Sequence, residues 1–223
     1  MPSWNIHLEA GTRLADKLKL RGKSRQEFLL GCLLPDINNG YINSPDVKYP
    51  HHSTHYAFDE KSSLNFYADY APAIKDRIPI YLGYLFHLFT DGYFNYNFYH
   101  NFKHSTLSRG LNEDQKRDIK HHDFWLYDTN FHHTLDVTPE GAEHLATLAN
   151  QIKTVDIQPK DILEVDTILK NDRLNDNIRG ESYIFYNQKS LDLLLDNTIS
   201  EFICQYLESP TPGPKSHPEA KNA

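Results

Sequence analysis

The sequence predicts an all-α protein, a single-domain bundle of several helices with a metal cleft between them. Apolar residues recur every three to four positions over most of the chain, which is typical of amphipathic helices. Ser, Asn, Thr and Pro stand where such helices would begin. No segment shows the alternation and turn signals of β-strands. The 223 residues suffice for one domain with a substantial core, which we place at 1–207.

The first predicted helices surround a long polar segment. Ser3 is the candidate N-cap of the first helix, and Ser24, with the glutamate three residues later, is predicted to form a capping box for the second. Pro35 is predicted to end that second helix or to lie at its edge. Residues 36–54 are rich in Asn, Pro, Gly, Tyr and His. They are predicted to form a loop, and loops of this length often carry function. A short helix follows at 64–70.

The most apolar segment is predicted to be a central buried helix. It covers 80–98 and is opened by Pro79 at its first position. Further helices are predicted from 112 to 122, after Thr138, after Pro159 and over 181–207. The Pro-rich residues 208–223 are expected to be a disordered tail.

Composition excludes several classes of protein. The net charge of −7 argues against a nucleic-acid binder held by a general basic field. Two cysteines cannot form a disulfide framework or a thiolate zinc cluster by themselves. Neither a membrane span nor a secretory signal is recognisable. We therefore expect a cytoplasmic protein without stable membrane anchoring.

Histidine is over-represented and unevenly placed. The chain contains 13 histidines, and only His217 lies beyond position 145. Histidine is the commonest metal ligand and titrates near neutral pH. The clustering therefore favours a metal or acid–base site in the first two thirds of the chain.

The strongest local pattern is the pair His87 and Asp91. Residues four apart project from one face of a helix. The surrounding residues are so apolar that both polar groups need partners, because a buried unpaired carboxylate costs several kcal/mol. A divalent metal would satisfy both, and so would a hydrogen bond between the two side chains.

Other candidate ligands lie in separate segments. Each taken alone is more often structural, but together they offer the nitrogen and carboxylate donors that suit zinc, manganese or iron. They are His7 in the first helix, Asp36 after the second, His52 and His55 at the end of the polar segment, and His121, His122 and Asp123 before an aromatic cluster.

Four of these motifs, in this order, resemble the zinc-dependent phospholipase C family in its broad phospholipase C/D-domain sense. They are Trp4-x-x-His7, Gly-Cys-Leu-Leu-Pro-Asp36, Thr-His55-Tyr and Leu-Gly-Tyr-Leu-Phe-His87-Leu-Phe-Thr-Asp91, and the similarity covers roughly residues 2–128. It is greatest to small intracellular members that carry Lys-His-x-Asp-Phe-Trp.

The resemblance implies an all-helical phosphodiester hydrolase with two or three zinc ions in a cleft. It implies that His7, His55, His87 and Asp91 bind metal, with Asp91 bridging two ions, and that Asp36 assists an attacking water. Trp4 would correspond to the N-terminal tryptophan of secreted members, but here Met-Pro-Ser precedes it. His121 and Asp123 would take the place of later metal ligands or assist the leaving oxygen, with His52 and His122 as reserve candidates.

We therefore expect a metal-dependent hydrolase acting on a small-molecule or lipid-headgroup phosphoester. Two alternatives remain open at this point. One is an HD-type helical phosphohydrolase, whose adjacent His-Asp pair would be His122 and Asp123. The other is a helical module that binds metal without catalysis.

Overall fold

The protein is all-helical in the part of the chain described by the computed structural model, which contains no strand. That part comprises residues 3–37, 51–56, 61–171, 178 and 180–208, with only the backbone of 51 and 52. The predicted fold class is confirmed. Apart from Glu208, the predicted tail lies outside the described residues.

In chain order, the helices are α1 (Trp4–Lys17), α2 (Gly22–Gly31), α3 (Leu34–Ile37), α4 (His51–Thr54), α5 (Ser62–Lys75), α6 (Pro79–Lys103), α7 (Glu113–Asp128), α8 (Pro139–Ala149), α9 (Pro159–Asn171) and α10 (Gln188–Phe202). A short 3-10 turn covers Thr106–Ser108, and α10 continues into a π-helical end at Ile203–Glu208.

Several predicted helix starts are confirmed, including Pro159 as the first residue of α9. Pro79 occupies the first turn of α6. Asn112 caps α7 in a reciprocal capping box with Gln115. The Thr138 side chain accepts a hydrogen bond from the Gly141 N–H at the start of α8. In the last two cases a side-chain oxygen satisfies an N–H group that a helix start leaves unpaired.

Other boundaries differ from the prediction. The capping box at Ser24 was wrong, because α2 already begins at Gly22 with Arg21 in the N-cap position. Helix α5 extends beyond 64–70 in both directions and contains Pro72, with non-helical angles at Tyr70. A proline inside a helix removes a hydrogen-bond donor and crowds the preceding turn, which accounts for the kink.

The predictions for the long loop and for the last helix also differ from the structure. Both ends of the predicted loop 36–54 are helical, in α3 and α4, while 38–50 lie outside the described residues. The predicted helix over 181–207 begins only at Gln188, after Asn187 as its cap.

Helix α6 is the centre of the fold. Its residues from Ile80 to Asp91 are all buried, because α1, α2, α5 and α10 pack against it. One apolar cluster joins these helices to α8 and α9. Among the described residues, no helix is long and apolar enough to cross a membrane.

The crossing of α2 and α6 depends on two glycines. A Cβ added at Gly83 would overlap the carbonyl oxygen of Phe28 and lie 2.9 Å from the Cα of Gly31. A Cβ added at Gly31 would likewise lie 3.0 Å from the Cα of Gly83. The two backbones therefore touch directly. The same crossing brings the backbone of Cys32 against α6.

The first turn of α1 is tied to the last residue of α7. Ser3 is the N-cap, as predicted, but its hydroxyl donates to Asp128 instead of capping its own helix. The backbone and side-chain amides of Asn5 donate to the same carboxylate. A carboxylate at a helix N-terminus is also stabilised by the helix dipole. These bonds position the turn that carries His7.

Candidate metal centre

Five of the predicted ligands converge on one buried point. His7 comes from α1, Asp36 from α3, His55 from the residue after α4, and His87 and Asp91 from α6. None of the five is more than 7% exposed. Four separate segments therefore place polar side chains together inside an apolar core.

Three donor atoms form a nearly equilateral triangle. The Nε2 atoms of His55 and His87 are 3.3 Å apart. Each lies 3.4 Å from Oδ2 of Asp91. Oδ1 of Asp36 is 3.4 Å from His55 Nε2 and 4.0 Å from His87 Nε2, so it lies at the edge of this set.

His7 approaches the other oxygen of Asp91. Its Nε2 is 3.3 Å from Oδ1, and its ring stacks on His87 with centroids 3.9 Å apart. Asp91 thus presents one oxygen to His7 and the other to the two remaining histidines. This arrangement is compatible with a carboxylate shared between two positions.

Backbone and hydroxyl groups orient the rings. His87 Nδ1 is 2.7 Å from the carbonyl oxygen of Cys32. Because a carbonyl can only accept, Nδ1 carries the proton and neutral His87 directs a lone pair from Nε2 towards the centre. His55 Nδ1 lies 3.0 Å from the Thr54 hydroxyl, and the Tyr84 hydroxyl donates to the Thr54 carbonyl.

Several atoms at the centre lack the hydrogen bonds that burial normally requires. His7 Nε2, Asp36 Oδ1 and both carboxylate oxygens of Asp91 form none with the described residues. Their contacts at 3.3–3.4 Å are not aligned as hydrogen bonds. A buried unsatisfied polar group costs about 1–3 kcal/mol, and more if charged. A cation bound by these atoms would offset this cost.

The electrostatics favour positive charge at the same point. Burial alone would raise the pKa of Asp91, but His87 and His7 hold it well below its usual value. His87 and His55 likewise outweigh burial and lower the pKa of Asp36. The two carboxylates raise the pKa of His87 despite its burial. Burial and His87 lower the pKa of His7, which favours the neutral ring that metal binding requires.

Within the part of the chain that the structure describes, two buried groups of side chains could hold a metal ion. One is His7, Asp36 and His87, and the other is His55, His87 and Asp91, with the donor atoms of each group within 4.8 Å of one another. His87 belongs to both groups. The sequence-based expectation of a metal-binding helical protein is met at this coarse level.

Asp123 belongs to neither of these groups, so its prediction as a metal ligand is corrected. It is buried in α7, where its carboxylate accepts hydrogen bonds at 2.7–2.9 Å from the backbone N–H groups of Ile184, Phe185 and Tyr186. Both oxygens are therefore occupied in fixing the irregular segment before α10. His122 also faces this segment, with Nε2 3.1 Å from the Ser182 carbonyl oxygen.

Replacing Asp123 by asparagine separates these two roles. We expect unchanged metal content by elemental analysis, because the carboxylate lies on the 184–186 backbone. We expect the free energy of unfolding to fall by about 1–3 kcal/mol, since an amide offers one acceptor oxygen to three N–H donors. A variant that lost metal but kept its stability would restore Asp123 as a ligand.

The remaining candidates have other surroundings. Trp4 lies in the first turn of α1 and is part of the apolar core. The His52 side chain is outside the described residues. His121 stacks on Trp125, and burial, with Lys120 and Arg117, lowers its pKa to about 4. At neutral pH its ring is unprotonated, which argues against the predicted role as an acid for the leaving oxygen.

The sequence interpretation missed the groups that support the centre. The Cys32 carbonyl and the Thr54 hydroxyl orient two histidines, and the Tyr84 hydroxyl holds the backbone of Thr54. The role of a backbone carbonyl cannot be recognised from the residue type. The sequence feature that could have indicated the close helix crossing is the pair Gly31 and Gly83.

Comparison of the chain with protein-family models, curated proteins and solved structures finds no match. A function for the chain therefore has to be inferred from the geometry of the centre.

Proposed function

We propose that this protein is a zinc-dependent hydrolase of phosphoesters. One observation carries the proposal: His7 Nε2, Asp36 Oδ1 and both carboxylate oxygens of Asp91 are buried, form no hydrogen bond with the described residues, and lie 3.3–3.4 Å from other side-chain atoms of the same cluster. Such a group is a preformed binding site for a divalent cation. The resemblance to phospholipase C-type enzymes supports the hydrolytic function.

The spacing of the donors supports zinc. Two ligands at about 2.0–2.1 Å from a tetrahedral zinc ion lie about 3.3–3.4 Å apart. Ligands at the same bond length around an octahedral ion lie about 3.0 Å apart. The triangle of His55, His87 and Asp91 has edges of 3.3, 3.4 and 3.4 Å and therefore fits the tetrahedral case.

Bound zinc would supply a Lewis acid for the phosphoryl oxygen and would lower the pKa of water towards about 7. His55, His87 and Asp91 would hold it, and His7 could bind a second ion on the other oxygen of Asp91. Asp36 lies at the edge of the triangle, where its carboxylate can orient or deprotonate an attacking water. The Cys32 carbonyl keeps His87 in the tautomer that binds metal.

The structure does not favour the HD-type alternative. In that alternative His122 and Asp123 would be adjacent metal ligands. Instead, His122 faces the Ser182 carbonyl and Asp123 accepts from three backbone N–H groups. The proposed substrate is a small-molecule or lipid-headgroup phosphoester.

Metal analysis combined with phosphoester assays tests the proposal. We expect zinc in the purified protein and hydrolysis of p-nitrophenyl phosphate or bis(p-nitrophenyl) phosphate that a chelator abolishes and added zinc restores. Asp36→Asn should lower kcat by about 100-fold or more, since a general base contributes about 10²–10⁴.

Asp69→Asn is the matched control, because Asp69 is an exposed residue of α5. It should leave metal content and kcat unchanged. Full zinc loading without turnover on a panel of phosphomonoesters and phosphodiesters would contradict the proposal and favour a non-catalytic metal-binding module.

A further inference from the structure

Lys120 is a buried lysine of α7 whose side chain contacts α6 beyond the candidate metal centre. It is only 6% exposed. Its Nζ donates a 2.9 Å hydrogen bond to Oδ1 of Asn95 and lies 5.0 Å from the ring centroid of Tyr99. These two contacts fix the position of the ammonium group.

The contacts of Lys120 lie further along α6 than the metal ligands. His87, Asp91, Asn95 and Tyr99 follow one another at intervals of four residues on α6. Neighbouring members of this series are about 6 Å apart, one turn further along the helix each time. The Lys120 ammonium therefore lies about one helical turn beyond Asp91. Burial lowers the pKa of Lys120, and Asp91 is close enough to oppose this shift.

Lys120 has no carboxylate partner among the described residues. Its neighbours on α7 differ in this respect, because Lys116 pairs with Glu113 and Arg117 with Asp114. Lysine is rarely buried without a partner. An amide oxygen and an aromatic face hold the ammonium but do not neutralise it. The geometry leaves the positive charge available for an anion from outside the protein.

We propose that Lys120 binds a non-bridging phosphoryl oxygen of the substrate, with Asn95 and Tyr99 holding its ammonium in place. The inference rests on the proposed function, because it places the phosphoryl group between the zinc ligands and Lys120. One divalent ion would balance the carboxylates of Asp36 and Asp91. The charge of Lys120 would then favour an anionic ligand over a neutral one.

Binding of inorganic phosphate to the zinc-loaded full chain tests the role of Lys120 without requiring turnover. We expect Lys120→Met to weaken phosphate binding in calorimetry by about 10- to 100-fold, the value of a hydrogen bond to a charged group. Zinc content should not change. Lys120→Arg should retain part of the affinity, because it keeps the charge.

Lys116→Met is the matched control, since Lys116 lies one turn earlier on α7 and pairs with Glu113. It should bind phosphate as the unmodified protein does. Asn95→Asp is a second test that keeps Lys120, because the new carboxylate would neutralise the ammonium and weaken phosphate binding by at least 10-fold.

The outcomes for Lys120 and for hydrolysis are distinguishable. Weaker phosphate binding in Lys120→Met and Asn95→Asp at normal zinc content supports the inference even if no phosphoester is hydrolysed. Phosphate affinity within twofold of the unmodified protein in both variants overturns it even if hydrolysis is observed. Failure of the unmodified zinc-loaded protein to bind millimolar phosphate also overturns it.

Discussion

Asp91→Asn should abolish metal binding while leaving the fold intact. Both oxygens of Asp91 face histidine nitrogens, so the amide removes the negative charge and one acceptor from the centre of the ligand set. We expect elemental analysis to find less than a tenth of the metal bound by the unmodified protein. The control Asp69→Asn should retain all of it.

Thermal unfolding provides the second measurement for Asp91→Asn. A ligand at 100 times its Kd stabilises a folded protein by about 2.7 kcal/mol. For a chain of this size that corresponds to roughly 5–11 °C in Tm. A chelator should lower the Tm of the unmodified protein by this amount and leave that of the variant unchanged.

The variant should fold but be less stable than the chelated protein, because it loses the buried pairs of Asp91 with His7 and His87 that hold the pKa of this carboxyl low. Normal metal content in Asp91→Asn, or a Tm of the unmodified protein that does not respond to chelator, would falsify the assignment of the metal centre.

Gly83→Ala should have the largest effect on stability. The new methyl group would overlap the Phe28 carbonyl and lie 3.0 Å from the Cys32 nitrogen, and backbone atoms cannot move aside as a flexible side chain can. We expect a loss of about 3 kcal/mol, at the upper end of the usual overpacking cost. Differential scanning calorimetry should show a fall of roughly 6–12 °C in Tm.

The same substitution should weaken metal binding at a distance. Separating α2 from α6 moves the Cys32 carbonyl away from His87 Nδ1. Loss of such a supporting hydrogen bond costs about 10- to 100-fold in metal affinity. Competition with a chromophoric zinc chelator measures this change.

Gly92→Ala is the matched control on the same helix, because a Cβ there meets nothing within 4 Å. Alanine should stabilise α6 at this position by up to about 1 kcal/mol. If Gly83→Ala unfolds at the same temperature as the unmodified protein, the close crossing of α2 and α6 does not limit the stability of the fold.

Local periodicity predicted the parts of the centre that lie on single helices. His87 and Asp91 share a face because four residues are close to one helical turn, and their apolar surroundings required a partner. His7 was placed on the first helix by the same reasoning. The predicted start of α6 at Pro79 also depends on interactions within one turn.

Periodicity within one helix could not predict contacts between segments that are distant in the chain. Asp123 precedes an aromatic cluster whether it binds metal or accepts hydrogen bonds from a segment about 60 residues later. Spacing does not distinguish the two roles, since both require a buried carboxylate. The sequence indicated Lys120 only as the first residue of the Lys-His-x-Asp-Phe-Trp motif, because its partner Asn95 lies on another helix.

The centre draws its ligands from positions 7, 36, 55, 87 and 91. Ions bound by both ligand groups would therefore close three loops within the first 91 residues, much as a set of cross-links would. Each closure restricts the unfolded chain, and its entropic contribution grows only slowly with loop length. Loss of the metal would open all three closures together. Metal binding would thus also make the N-terminal part of the fold more cooperative in unfolding.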